Sequence, residues 1–168
     1  MDVGWSYRLT ADEVTHAERV AHGAIKRSKQ RQRRGYGKGE RDGGSSREKT
    51  RFDRNANGFA AEIAVARLFG DDDWLPVIVD DSFCDPPDAG GRCEVRQTDR
   101  HSNRLIIYPR DKNEAPYVLV TGTRHDVMYA RGWLYGTEGK RPDFWDESVP
   151  NPNYFIPQAA LHPMEDLL

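Results

Sequence analysis

Four side chains in one short stretch have the types and spacing for metal-assisted chemistry. Asp88 precedes a glycine turn, and Glu94, Arg96 and Gln97 follow it in a strand-like segment. Because side chains alternate along a strand, Glu94 and Arg96 share one face and Val95 points the other way. Carboxylate oxygens are ligands that Mg²⁺ and Mn²⁺ prefer, so Asp88 and Glu94 are candidate metal ligands.

A third carboxylate is predicted to come from a helix. The residue pattern predicts a helix from about residue 52 or 53 to Phe69, ended by Gly70. Its centre is small and apolar all round, which is typical of a buried helix, and Glu62 lies on the stripe that faces the interior. A buried carboxylate must be paired, hydrogen-bonded or bound to a cation. We therefore expect Glu62 either to pair with an arginine or to take part in a metal site.

The first 51 residues are predicted to bind a polyanion. They carry 13 Lys and Arg against 7 Asp and Glu, whereas residues 52–168 carry 12 against 20. Residues 10–13 fit a capping box, and apolar residues at helical spacing then predict an amphipathic helix that continues into a basic run over 26–34. Such a density of positive charge suits DNA phosphates, although a solvated helix end would have the same composition. The expected nucleic-acid contacts are Lys26, Arg27, Lys29, Arg31, Arg33, Arg34 and Lys38.

Strand patterns dominate the remainder of the chain. Residues 35–46 hold five glycines in twelve and predict a flexible loop. Alternating β-branched and aromatic residues predict strands at 75–79, 104–108, 117–121, 127–135 and 153–156, with Trp133 and Tyr135 packed in the core. Residues 158–168 predict a terminal helix that packs through Leu161, Leu167 and Leu168. The expectation is an α/β (α+β) fold with a central mixed, mostly antiparallel sheet flanked by helices, divided into a basic helix and loop at 1–51 and a core at 52–168.

Composition narrows the class of protein. Hydrophobic residues make up 37% and charged residues 31% of the chain, and mean hydropathy is -0.83. No apolar run approaches the ~20 residues of a membrane span, and the N-terminus lacks a signal-peptide pattern, so we expect a cytoplasmic protein that does not enter a membrane. Cys84 and Cys93 are expected to be reduced, and their spacing does not suit a zinc site with His101 or His125.

The order of these features resembles the PD-(D/E)XK nuclease superfamily, particularly the small nuclease-like proteins encoded by bacteriophages. A helical Glu, a strand, an Asp, a Glu-x-basic element and further strands follow one another over residues 52–161. The resemblance implies a restriction-endonuclease-like core and Mg²⁺- or Mn²⁺-dependent hydrolysis of DNA, with location in the host cytoplasm for a phage protein. It implies that Glu62, Asp88 and Glu94 hold the metal and act in catalysis, together with Arg96 and Gln97.

One position departs from the family pattern. Arg96 stands where the family usually has Lys, and a guanidinium stays charged, so it can grip a phosphate but cannot act as a base. Two functions therefore stay open: an active nuclease, and a catalytically inactive nuclease-like module that binds nucleic acid or protein, such as a phage regulator or counter-defence factor. The spacing from Asp88 to Glu94 is short, which leaves Asp85 as an alternative ligand. A homo-oligomer is also compatible with the sequence.

Overall fold

The fold is α+β, as the sequence predicted. In the computed structural model of the protein, residues 5–33, 45–77 and 88–167 are described. Within these ranges, two long helices cover one face of a four-stranded sheet, and a three-stranded sheet covers the other face. No helix in the described ranges combines the length and the apolar character needed to cross a membrane.

The two long helices are Ala11–Arg33 (α1) and Ser45–Leu68 (α2), and they pack against each other in antiparallel directions. The predicted capping box is confirmed, because the Glu13 carboxylate accepts a hydrogen bond from the Thr10 backbone N–H at 2.9 Å and the Thr10 hydroxyl accepts one from the Glu13 backbone N–H at 3.3 Å. The predicted start of the second helix was wrong, since α2 begins at Ser45 inside the segment predicted as a loop. Residues 34–44 of that loop lie outside the described residues.

Contacts with α1 explain why α2 starts earlier than its apolar pattern indicates. The Arg51 guanidinium donates to the Ser28 hydroxyl at 2.7 Å, and the rings of Phe52 and His22 lie 4.4 Å apart. These polar and aromatic contacts stabilise the first turns of α2, which carry no apolar stripe. Tertiary packing of this kind regularly extends a helix beyond its sequence signal.

Seven strands form two sheets within the described ranges. In chain order they are Ser6–Arg8 (β1), Glu94–Thr98 (β2), Leu105–Ile107 (β3), Pro116–Thr121 (β4), Val127–Tyr135 (β5), Trp145–Asp146 (β6) and Asn153–Ile156 (β7). The larger sheet has the order β1-β5-β4-β2, with β2 parallel to β4 and the other pairs antiparallel. β2, which carries Glu94 and Arg96, is therefore an edge strand.

The expectation of one central sheet was wrong for β3, because β3 pairs with β7 and β7 with β6 in a separate antiparallel sheet. Val95 faces the helices and packs with buried residues of α2, whereas Leu105, Leu119 and Ile156 form a second core between the sheets. Alternating apolar residues predict that a strand exists, but they do not specify its partner. This explains why the sequence did not separate the two sheets.

Three smaller predictions also differ from the structure. Residues 74–77 have no regular secondary structure, and residues 78–79 of that predicted strand lie outside the described residues. The predicted terminal helix is replaced by two 3-10 turns, Gln158–Ala160 and Met164–Leu167, because Pro163 lacks the N–H that a continuous helix needs. Trp133 is buried as predicted, at 7% exposure, but Tyr135 is 42% exposed. Tyr135 is the last residue of β5, and its ring packs edge-on against that of Trp133 at 5.1 Å.

Candidate active site

Asp88 is held against the start of β2 by its own carboxylate. It opens a single helical turn, Asp88–Gly91 (α3), in which Ala89 and Gly90 have left-handed φ values of 43° and 74°. This tight reversal lets Asp88 Oδ2 accept a hydrogen bond from the Val95 backbone N–H at 2.9 Å. The short spacing between Asp88 and Glu94 is thus closed by a turn. Asp85, the alternative ligand, lies outside the described residues.

Glu62 projects from α2 towards the same place. Burial, together with the negative charges of Asp88 and Glu94, raises the pKa of the Glu62 carboxyl to about 9. Glu62 makes no hydrogen bond or ion pair within the described part of the chain, so the predicted alternative of an arginine partner is not formed there. The three predicted carboxylates are therefore neighbours whose charges repel one another.

Cys93 lies among the same three carboxylates. It is fully buried, and burial together with the charges of Asp88, Glu94 and Glu62 raises the pKa of its thiol to about 12. A zinc ligand must be a thiolate, which this environment opposes. His101 lies elsewhere, hydrogen-bonded to Thr121 and packed on Tyr129.

The donor set suits a hydrated ion better than a closed protein cage. No three His, Cys, Asp or Glu side chains in the described ranges form a group that could hold a metal ion. One oxygen of Asp88 is already used by the Val95 N–H. Mg²⁺, however, is usually bound through one or two carboxylates and completes its shell with waters and phosphate oxygens. Two of these carboxylates would satisfy that requirement, and a cation would relieve the repulsion that acts on Glu62.

Lys112 is the site residue that sequence reasoning missed. Its ammonium Nζ lies 3.1 Å from Glu94 Oε1 and is the cation paired with that carboxylate, while the lysine side chain remains 56% exposed. Lys112 belongs to the turn before β4. Parallel pairing of β2 with β4 places Glu94 opposite Tyr117, and the Tyr117 hydroxyl accepts a hydrogen bond from the Lys112 backbone N–H at 2.9 Å. No local motif marks this lysine, because its position depends on the strand register.

The turn that carries Lys112 is fixed from the opposite side. Lys140 Nζ donates to the Asp111 carbonyl oxygen and to Asn113 Oδ1, the latter at 2.8 Å. At Gly136 the Lys112 carbonyl oxygen lies only 2.0 Å from where a β-carbon would be, so only glycine allows this close approach. These contacts fix the backbone from which the ammonium reaches Glu94.

Arg96, predicted to act in catalysis, engages a different partner. Its NH2 group lies 3.0 Å from Asp111 Oδ2, and its guanidinium carbon lies 4.9 Å from the ring centre of Tyr117 and 5.8 Å from that of Tyr108. Its buried Nε has no hydrogen-bond acceptor among the described residues. Arg96 therefore lies in the space between the sheets, and Lys112 takes the place beside Glu94.

Gln97 also has structural partners. Its amide nitrogen donates to the Gly122 carbonyl oxygen at 2.7 Å and to Asp99 Oδ1 at 2.8 Å. These bonds tie the end of β2 to the turn after β4. A catalytic role of Gln97 stays a prediction, and the contacts that the structure gives it are with backbone and Asp99 rather than with the three carboxylates.

The basic end of α1 lies beside the start of α2. Lys26 and Lys29 are exposed and Arg27 is half-buried. The side chains of Arg31 and Arg33, and the whole of Arg34 and Lys38, lie outside the described residues. The hydrogen bond from Arg51 to Ser28 fixes the two helices at this level. Glu62 lies 11 residues further along α2, which is about 16 Å at 1.5 Å per residue.

Comparison of the chain with protein-family models, with curated proteins and with solved structures gave no match in any of the three.

Proposed function

We propose that the protein is a Mg²⁺- or Mn²⁺-dependent deoxyribonuclease, with a restriction-endonuclease-like core of the PD-(D/E)XK type, that acts in phage DNA metabolism or host DNA degradation. The observation that carries the proposal is the buried carboxyl of Glu62 on α2, whose pKa is raised by burial and by the charges of Asp88 in a turn and Glu94 in a strand. Three carboxylates whose charges repel one another in a half-buried site lower the stability of the fold unless a cation or a proton compensates them. Such sites are candidates for function rather than for packing.

The residues of the site have distinct roles in this proposal. Asp88 and Glu94 would hold the ion, and Glu62 would support them from α2. When bound, such an ion polarises a phosphate and acidifies a coordinated water. The Lys112 ammonium orients Glu94 and offers its remaining N–H donors to a phosphate oxygen or to the attacking water, so it supports catalysis despite the arginine at position 96.

The basic end of α1 is the DNA-binding surface in this proposal. Lys26 and Lys29 are exposed and Arg27 is half-buried, and in this proposal their charges neutralise backbone phosphates without reading sequence. The distance of about 16 Å along α2 to Glu62 corresponds to about five nucleotides at 3.4 Å each. One bound strand can therefore contact both places.

An inactive nuclease-like binding module is the second candidate. It is favoured by one observation, the ion pair of Arg96 with Asp111, because this pair withdraws the residue at the usual lysine position from the carboxylates. In that case the basic surface binds nucleic acid or protein and the carboxylates have no catalytic role.

Cleavage assays distinguish the two candidates. The pure protein is incubated with linear double-stranded, single-stranded and branched DNA in Mg²⁺, in Mn²⁺ and in EDTA. We expect metal-dependent cleavage that falls about 100-fold or more in Glu94→Gln. The matched control is Glu114→Gln, which removes an exposed carboxylate from the same turn as Lys112 and should cleave as the wild type does.

Two outcomes would decide against the nuclease. One is the lack of metal-dependent cleavage on every substrate. The other is equal cleavage by Glu94→Gln and the wild type, which would indicate a contaminating enzyme. DNA binding that survives Glu94→Gln but is lost in Lys26→Gln/Lys29→Gln would support the binding module. Point substitutions are preferred to removal of residues 1–51, because β1 pairs with β5 and α1 packs on α2.

A further inference from the structure

A cleft of about 480 Å³ opens between the two sheets on the face of β2 that carries Arg96. Its volume falls within the usual range of small-molecule sites. The cleft is lined by residues of β2, β3 and β7 and of the loop between β2 and β3. The lining residues that matter for ligand chemistry are Arg96, Gln97, Asn103, Arg104, Tyr108 and Phe155.

Two guanidinium groups give the cleft an affinity for anions. Arg104 is exposed and makes no hydrogen bond or close ion pair with another described residue, but its charge contributes to lowering the pKa of the Asp146 carboxyl after the hydrogen bonds from Ser148. Arg96 contributes a second guanidinium, whose NH2 group is paired with Asp111 and whose Nε is buried without an acceptor among the described residues. One carboxylate, Asp146, also lines the cleft, and Ser148 donates two hydrogen bonds to it. Guanidinium donors suit a phosphate.

Aromatic rings also line the cleft, beside the guanidinium groups. Tyr108 is 36% exposed, and the guanidinium groups of Arg96 and Arg110 lie 5.8 and 5.7 Å from its ring centre. The ring of Phe155, in β7, also lines the cleft. Aromatic rings and guanidinium planes are the surfaces on which unstacked bases pack. The amide nitrogens of Gln97 and Asn103 are bonded within the protein, which leaves their amide oxygens as acceptors for a base edge.

The cleft lies next to the carboxylate cluster. Arg96 and Glu94 are two residues apart on one face of β2, which is about 7 Å along the strand. A nucleotide held at Arg96 would therefore have its neighbouring phosphate close to Glu94. A base must leave its stack to pack against the rings that line this cleft.

We propose that this cleft binds one unpaired nucleotide, with the phosphate on Arg104 and Arg96 and the base against Tyr108 and Phe155. The assignment rests on the proposed nuclease function and deepens it, since it makes single-stranded DNA or a frayed end the preferred substrate. It differs from the basic end of α1, which contacts phosphates only.

Binding of mononucleotides in EDTA tests the assignment without any cleavage. The full-length protein is titrated with thymidine 5′-monophosphate by calorimetry, beside thymidine, deoxyribose 5-phosphate and inorganic phosphate. We expect the mononucleotide to bind at least tenfold more tightly than any of the three fragments, because only it uses both the guanidinium groups and the rings. Arg104→Gln should weaken its binding about tenfold or more. Arg100→Gln, which removes an exposed arginine of the same loop outside the cleft, should change binding less than twofold.

Several results would overturn the proposal. Inorganic phosphate binding as tightly as the mononucleotide would remove the role of the rings, and thymidine doing so would remove that of the arginines. Equal losses in Arg104→Gln and Arg100→Gln would indicate unspecific charge attraction, and undetectable mononucleotide binding would end the assignment outright. Metal-dependent DNA cleavage by a protein that binds no mononucleotide would refute the cleft assignment alone. Mononucleotide binding without cleavage would refute the nuclease and leave the cleft in place.

Discussion

Replacing Glu62 by glutamine is expected to stabilise the fold at neutral and alkaline pH. Glutamine has nearly the same shape as a protonated glutamate and never ionises. In the wild type, burial and the charges of Asp88 and Glu94 raise the pKa of the Glu62 carboxyl from its ordinary value of 4.5 to about 9. Between these values the folded protein keeps a proton that the unfolded chain has released. The contribution of Glu62 to stability is therefore lost as the pH rises through this window.

The size of the effect follows from that window. At pH 7 the Glu62 carboxyl is ionised in the unfolded chain but protonated in the folded protein. Ionisation stabilises the unfolded chain, so the unfolding free energy of the wild type is lower by about 3 kcal/mol, a loss that the glutamine variant does not have. Between pH 5 and pH 8 the difference in unfolding free energy between variant and wild type should grow by roughly 4 kcal/mol. A bound cation favours the ionised carboxylate, so Mg²⁺ should stabilise the wild type more than Glu62→Gln.

Urea denaturation followed by tryptophan fluorescence at pH 5, 6, 7 and 8 measures this difference. Glu114→Gln is the control, because it makes the same chemical change at an exposed position and should give a curve parallel to that of the wild type. Parallel curves for Glu62→Gln and the wild type would refute the reasoning. So would a Glu62→Gln variant that is less stable than the wild type at pH 8, since the carboxylate would then be favourably paired.

Three further outcomes are expected. Lys112→Met should lower the rate of DNA cleavage about 100-fold and change DNA affinity less than threefold, because the ammonium lies at Glu94 and not on the basic end of α1 that binds DNA in the proposal. Arg67→Met should lower the unfolding free energy measured in urea by about 3 kcal/mol. The reason is that the nearly buried Glu13 carboxylate, 2.8 Å from Arg67 Nε, loses the cation it is paired with, and Arg67→Met/Glu13→Gln should recover part of that stability. In a Cys84→Ser background, alkylation of Cys93 at pH 8 should occur only on unfolding, since its thiol is fully buried with a pKa of about 12.

The sequence predicted those features that depend only on residues close together in the chain. The capping box at Thr10 and Glu13 and the strands β4, β5 and β7 follow from side-chain type and periodicity within a few residues. Glu62 was readable for the same reason, because a charged residue on an apolar helical stripe must face the interior. Signals of this kind need no knowledge of the rest of the chain.

Pairing between distant segments was decided by the tertiary structure alone. The register of β2 with β4 brings Lys112 to Glu94 across 18 residues of sequence, and the pairing of β3 with β7 creates the cleft that receives Arg96. An alternating pattern fixes which face of a strand is buried, but many partners and registers satisfy it equally well. The sequence by itself thus predicted the three carboxylates, while only the packed structure decided that a lysine, and not the arginine two residues along the strand, lies beside Glu94.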